Sequence, residues 1–295
     1  MKIALVDVDG HNFPNLALMK LSAWHKVQGD SIEWYSPLFS RPDKIYASKV
    51  FTFTEDYTDY AAGCPEPIRG GTGYGSMTKL PDEVEGMIPD YTLYPEFTEA
   101  FGFLTRGCIR KCPWCIVPEK EGSLRIVDDI ERVSAGRRDV VLMDNNFLAA
   151  PEDFVREQLT KAARMEIRLD FNQGLDARLV NAKNAKWFAA IKWIRYIRFS
   201  CDTVSMIEPI RNAVRLIREA GSRRGIFCYM LVRDIGDAET RLKALVELGV
   251  TPFAQPYRDF TGNTAPGKEQ REFARFVNVK GGRLCRKMKF SEYYH

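Results

Sequence analysis

The sequence predicts an α/β protein built as a partial (βα)6 TIM-like barrel with a small Rossmann-like lobe at its N-terminal end. Three observations predict this. From about residue 98, apolar strand-like segments alternate with helical patterns every ~25–40 residues, the pattern of βα units on a parallel sheet. Six such units are too few to close an eight-stranded barrel, so the barrel is expected to be open. Residues 1–97 show a separate strand–helix–strand order that fits a fragment of a parallel sheet.

In the N-terminal lobe, Ile3–Val8 reads as a buried strand. Leu16–Val27 has helical apolar spacing through Leu16, Leu18, Met19, Leu21 and Trp24, and Ser31–Tyr35 and Ala47–Phe53 read as further strands. Gly70-Gly-Thr-Gly-Tyr-Gly75 follows in a loop-rich stretch. A glycine turn can approach phosphate, but with no clear strand before it and no helix after it this segment reads as a plain turn. Residues 80–97, with Pro81, Pro89 and Pro95, read as an extended linker. Beyond it, strands are expected near 100–106, 139–145, 168–174, 194–201, 226–233 and 252–257. Helices are expected at about 126–136, 152–165, 177–191, 206–220, 237–248 and 268–278. Pro151-Glu-Asp opens one helix with negative charge at its positive end, and Gly221 and Gly249 close two others. The division expected is lobe and linker 1–97, core 98–280 and a basic tail 281–295.

Composition narrows the function. Of the 295 residues, 45% are hydrophobic and 28% charged, ordinary for a globular chain, and no apolar run reaches the roughly 18–20 residues of a membrane span. The N-terminus meets Asp7 and Asp9 and so reads as a strand, not a signal peptide; the expected location is the cytoplasm, with no membrane partner. The net charge of +4 is mild, but Arg106, Arg110 and Lys111 flank one cysteine cluster and Arg283, Arg286, Lys287 and Lys289 crowd the C-terminus. Such cations form either a solvated rim or a docking face for an acidic electron donor or a phosphate-bearing substrate.

Seven cysteines without a framework pattern, three of them clustered, suggest a metal site in a reducing compartment and not a disulfide scaffold. The cluster is Thr105-Arg-Gly-Cys-Ile-Arg-Lys-Cys-Pro-Trp-Cys115, directly after the first expected core strand. It spaces Cys108, Cys112 and Cys115 as CxxxCxxC, and thiolates this close can converge on a soft metal centre, iron–sulfur or zinc. Zinc prefers four protein ligands, and the fourth would have to be a distant cysteine or one of only three histidines, His11, His25 and His295. Cys201 and Cys228 fall in expected strands and read as packing residues. Barrel sites form at the C-terminal strand ends. Here those ends are polar: Met143-Asp-Asn-Asn-Phe147, Asn172-Gln-Gly-Leu-Asp-Ala-Arg178, Arg198-Phe-Ser-Cys-Asp202, Leu231-Val-Arg233 and Gln255-Pro-Tyr-Arg258.

The cysteine loop, with aromatic Trp114 before the third cysteine, resembles the signature of the radical S-adenosylmethionine (radical SAM) superfamily, and the expected partial barrel is that superfamily's core fold. The resemblance covers about residues 98–280. It implies a [4Fe–4S] cluster on Cys108, Cys112 and Cys115, with the fourth iron open to the amino and carboxylate groups of S-adenosylmethionine. It places Trp114 beside the adenine and puts Asp144, Asn145 and Asn146 where the superfamily's second strand orients the amino group. Ser200 and Asp202 become candidates for the ribose hydroxyls and Arg233 for the carboxylate. Gln173, Asp176, Gln255 and Arg258 fall where substrate could meet cofactor. The implied reaction is reductive cleavage of S-adenosylmethionine to a 5′-deoxyadenosyl radical, which abstracts hydrogen from RNA, a peptide or a small metabolite. The implied electron source is an acidic donor such as flavodoxin or ferredoxin. A non-catalytic Fe–S or zinc protein, a redox sensor or scaffold, is the competing class.

Asp9-Gly-His11-Asn-Phe-Pro14 partly resembles the Asp-x-His-x-x-Gly signature of cobalamin-binding domains. Pro14 replaces the glycine and the lobe is short for that domain, so a shrunken relative that has lost the vitamin is expected. Retained cobalamin would make radical methylation the leading reaction.

Overall fold

The computed structural model describes residues 1–10, 12–260 and 264–294. The chain divides into two compact units, one of Met1–Phe101 and one of Gly102–Asp259 with the C-terminal segment from Thr264.

The first unit is built on β1 (Lys2–Asp7), α1 (Leu16–Val27), β2 (Ser31–Trp34), β3 (Lys44–Ser48) and β4 (Ile68–Gly70), with one further helical turn, α2 (Asp82–Glu85). The strands form one parallel sheet in the order β2–β1–β3–β4. Alternation along the central strands sorts side chains to two faces. Ile3 and Leu5 pack with Leu18, Leu21 and Val84 on one face, and Ala4, Val6, Ile45 and Ala47 pack on the other. Asn15 caps α1 by accepting from the Leu18 N–H and fastens it to the sheet by donating to Ser48 Oγ (2.9 Å).

Three expectations are corrected here. The third strand ends at Ser48 and not at Phe53, because the Asp9 carboxylate takes the N–H groups of Val50 and Phe51. The glycine segment does follow a strand, the short β4, and continues into a single 3-10 turn, Thr72–Tyr74. Its glycines serve close packing: a Cβ on Gly71, where φ is +99°, would lie 2.2 Å from the Lys49 carbonyl oxygen. Residues 80–97 are not an extended linker, since Val84 and Tyr94 are buried and the Tyr94 hydroxyl donates to Asp7 (2.7 Å).

The second unit starts at the end of β5 (Ala100–Gly102). It runs through β6 (Thr105–Arg106), α3 (Val117–Lys120), β7 (Arg125–Ile126), α4 (Ile130–Ser134), β8 (Asp139–Leu142), α5 (Glu152–Arg164), β9 (Arg168–Phe171) and α6 (Ala182–Ala190). It continues as β10 (Lys192–Trp193), β11 (Ile197–Ser200), α7 (Ile207–Glu219), β12 (Ile226–Val232), α8 (Ile235–Glu247) and β13 (Thr251–Pro256), and ends with α9 (Lys268–Asn278) and α10 (Phe290–Tyr293). From β7 on, α4, α5, α6, α7 and α8 each fall between two strands as the periodicity predicts, and α7 buries Ile210, Ala213, Val214 and Ile217, one stripe at helical spacing.

The strands form two sheets, β10–β9–β8–β5 and β11–β12–β13, linked by a parallel bridge from Leu175 to Phe199. The ladders from β8 through β13 are parallel throughout. Among the described strands the ladder does not close into a barrel. The strand expected at 194–201 starts only at Ile197, as β11, with the short β10 before the expected span; Arg224 donates to the carbonyls of Trp193 and Ile194, taking acceptors an earlier start would offer a neighbour. The strand expected at 100–106 is interrupted, at Phe103–Leu104. The segment expected to be a basic tail belongs to the second unit, with Phe290 buried against Phe273 and Phe276 of α9. No helix among the described residues is long and apolar enough to cross a membrane.

Candidate metal and cofactor centre

The cysteine loop is a closed excursion. Its base is the antiparallel pair β6–β7, Thr105 opposite Ile126 and Arg106 opposite Arg125. Arg106 donates to Glu121 Oε1 (3.0 Å), and Arg125 donates to the Glu121 carbonyl (2.8 Å). Gly107 turns the chain at φ +80°, where a Cβ would meet the Ser123 carbonyl oxygen at 2.3 Å. The Cys108 N–H then bonds the Gly122 carbonyl (3.3 Å), and the Cys115 N–H the Cys112 carbonyl (3.0 Å). Cys108, Cys112 and Cys115 are all free and half-buried in the space this closes.

The loop is held from the strand ends. After β8, three consecutive polar residues each grip it differently. Asp144 is buried and accepts from the Leu104 N–H (3.1 Å), the Thr105 N–H (2.6 Å) and the Thr105 hydroxyl (2.6 Å). Burial outweighs these bonds and pushes its pKa up to about 6. Where the resemblance puts Asp144 on a cofactor amino group, the structure shows both its oxygens accepting from the chain that launches the loop. Asn145 accepts from the Gly107 N–H (2.9 Å), so its side-chain oxygen also serves the loop. Asn146 is different. Its amide N–H faces two acceptors, Cys108 Sγ and Asp176 Oδ2, each at 3.4 Å, which sets the orientation of the amide. Its oxygen is then buried with no hydrogen-bond partner, a position that costs about 1–3 kcal/mol unless a donor arrives.

The segment after β9 adds the charge. Asp176 accepts from Arg178 Nε (2.7 Å) and from Arg110 Nε (3.0 Å), pinning the cysteine loop to this strand end. Burial pushes the Asp176 pKa up, but Arg178 and Arg110 together bring it below the ordinary carboxylate value. Asp202, after β11, accepts from the Leu231 N–H (3.0 Å) and has its pKa raised by burial. Arg233, after β12, lies over the Trp114 ring with its guanidinium carbon 4.0 Å from the centroid, so one face of the indole is covered by a cation. Ser200 is half-buried beside Gly174, Gln173 and Gln255 are exposed, and Arg258 is half-buried.

The thiols themselves share an environment. Burial raises the pKa values of Cys112 and Cys115; Cys108 and Asp202 raise both further, Cys112 adds to the shift at Cys115, and Arg178 opposes it at Cys112. Cys108 Sγ also accepts from the Arg110 N–H (3.3 Å). Among the described residues, no three His, Cys, Asp or Glu side chains are already drawn together as a metal-holding group. The donor set nonetheless fits a soft metal centre: three sulfurs on one loop, N–H groups aimed at Cys108, guanidinium groups beside them, and one unsatisfied acceptor. Comparison with known proteins finds no matching protein-family model and no matching curated protein.

The structure thus brings Cys108, Asn145, Asn146 and Asp176 together at the loop, and Trp114 with Arg233. It leaves Gln173 and Gln255 outside this set of contacts. Thr105 and Glu121 were not singled out from sequence: Glu121 lies 15 residues from its Arg106 partner, a separation without a motif. Cys201 and Cys228 are fully buried, as packing residues should be. Of the cobalamin-like segment, Asp9 is bonded to Val50, Phe51 and Thr54, and His11 lies outside the described residues. His25 is buried between Asp30 and Tyr46 in the first unit.

Proposed function

We propose that the second unit is a radical SAM core, an open (βα)6 barrel whose loop holds a [4Fe–4S] cluster through Cys108, Cys112 and Cys115. One observation carries this reading: four polar residues from separate strand ends meet the cysteine loop or share its electrostatic field. Asn146 donates to Cys108, Asp176 grips Arg110, the Asp202 charge acts on Cys112 and Cys115, and Arg233 covers Trp114. The consecutive order of β8, β9, β10 with β11, β12 and β13 supports the open-barrel form.

A bound cluster would supply the electron that splits the sulfonium C–S bond of S-adenosylmethionine, giving a 5′-deoxyadenosyl radical that takes hydrogen from an unactivated C–H bond. The chain's own work is placement. Asn146 Oδ1 offers the buried acceptor that an ammonium group satisfies. Arg178 offsets the negative charge of Cys108 and Cys112, and Arg110 and Arg178 together neutralise Asp176 beside them. Asp144, Asn145 and Gly107 fix where the loop leaves the sheet. The substrate class, RNA, peptide or small metabolite, is left open by this site.

Anaerobic reconstitution tests the reading. The wild-type chain should take up four irons and four sulfides, bind S-adenosylmethionine in equilibrium dialysis, and release 5′-deoxyadenosine with a strong reductant. Cys112→Ala should lose all three. A single zinc per chain, or a full cluster that does not bind S-adenosylmethionine, refutes it.

A further inference from the structure

The C-terminal strand ends of the second unit carry the cysteine loop; the N-terminal ends carry something else. A cavity of about 470 Å³ opens there, lined by Arg168 and Lys192 at the starts of β9 and β10 and by Arg223 and Arg224 just before β12. A fifth cation joins them, since Arg218 donates to the carbonyls of Ser222 and Arg224. Among the described residues two of the five have carboxylate partners: Arg168 pairs with Asp139, and Lys192 with Glu166 at 2.8 Å. Arg224 and Arg218 bond carbonyls, which leaves their charges uncompensated. Among the described residues Arg223 makes no ion pair, and it is exposed. The crowding is strong enough that Arg218, lowered first by burial, is lowered further by repulsion from Arg223.

We propose that this cavity is a docking site for a polynucleotide backbone. Five cations against two carboxylates around one concavity attract a polyanion, and a polynucleotide supplies one phosphate charge per nucleotide, a regular charge density that an acidic protein surface, with carboxylates spread among neutral side chains, does not match. The position, at the opposite strand ends from the cysteine loop, argues against electron delivery as the reason for the charge. The strands between cavity and cysteine loop run four to seven residues, about 13–23 Å at the strand rise. A donor docked here would be held away from the thiols. A nucleic acid has the length to rest on the cavity while another part of it reaches the far strand ends. The docking site stands on its own cations, whether or not the loop carries a cluster.

Fluorescence anisotropy with a labelled 30-nucleotide single-stranded RNA, over 50–200 mM KCl, tests it. The wild-type chain should bind with a steep salt dependence. Lys192→Ala with Arg223→Ala should weaken binding about tenfold and reduce the log–log salt slope by about 1.4, the loss of two phosphate contacts. Arg223→Glu should weaken it further, and Lys79→Ala, in the first unit, should leave it unchanged. Circular dichroism melts confirm that each variant is folded. Unchanged affinity and slope in the folded double variant overturn the proposal. So does displacement of the RNA by polyglutamate at equal charge concentration, which would point to an acidic protein instead.

Discussion

Asp144 gives the sharpest test of the site's architecture, because its titration and its hydrogen bonds pull in opposite directions. The carboxyl is buried under three donors, yet its pKa is pushed up from 3.8 to about 6. An acid whose folded pKa is raised binds its proton more tightly in the folded state. Its contribution to stability is therefore full only well below pH ~4 and is lost as pH rises through about 6. The shift corresponds to about 3 kcal/mol between the two limits. Other carboxylates act the opposite way: Asp90, Asp129 and Asp176 are held low by lysine or arginine partners despite burial. The Asp144 contribution must be isolated by difference. Asp144→Asn does this, since the amide does not titrate. The amide nitrogen faces a backbone N–H where a carboxylate oxygen stood, a roughly constant cost of about 1–3 kcal/mol. Urea unfolding of both chains at pH 4, 5, 6 and 7 should show the wild-type advantage shrinking by about 2.4 kcal/mol across that range, since about 0.5 kcal/mol is already lost at pH 4. A difference that is flat with pH, or that grows as pH rises, refutes the reasoning. It would mean that the Leu104 and Thr105 donors hold Asp144 ionised.

Two further predictions concern the loop. Gly107→Ala should destabilise the chain by at least about 2 kcal/mol, through positive φ and the clash with Ser123, and lower the melting temperature by roughly 4–8 °C in calorimetry. A double-mutant cycle on Trp114→Leu and Arg233→Gln should give a coupling energy of about 0.5–2 kcal/mol by urea unfolding; additive effects would deny the stacking.

Much of this architecture is local in sequence and could be read there. The βα alternation, the capped helices and the CxxxCxxC spacing depend on neighbours within one or two turns, and helices α5 to α9 fall within about five residues of their expected spans. The departures share a cause: a side chain distant in sequence takes a backbone group that the local pattern would spend otherwise. Asp144 takes the Leu104 and Thr105 N–H groups and breaks the first core strand 39–40 residues away. Arg224 takes two carbonyls 30–31 residues away, just before another strand, which starts late at Ile197. Asp9 does the same to the end of β3 at 41–42 residues. In the candidate centre, the residue types after β8 were legible but their division of labour was not. Two of three adjacent polar residues hold the loop, and only Asn146 keeps an acceptor for something else, a distinction made by burial and not by identity.

That acceptor separates an enzyme from a sensor. A redox sensor or structural metal protein needs the cysteines, but has no use for a buried amide oxygen without a partner next to one of them. The unsatisfied atom costs about 1–3 kcal/mol in the free protein, and the two 3.4 Å contacts of the same amide recover little of it. Asn146→Leu removes the orphan and the weak contacts together while keeping a similar volume. The cluster-free chain should therefore be at least as stable as wild type, gaining up to about 1–3 kcal/mol. Binding of S-adenosylmethionine to the reconstituted chain should fall by at least about tenfold, because a buried bond to an ammonium group is lost, worth roughly 1.5–3 kcal/mol. Equilibrium dialysis and urea unfolding read the two effects separately. If the Leu variant loses several kcal/mol of stability, the amide is structural and the oxygen is satisfied by something already in the fold. If it binds the cofactor as tightly as wild type, Asn146 does not face the ligand, and its position beside Cys108 contributes nothing to recognition.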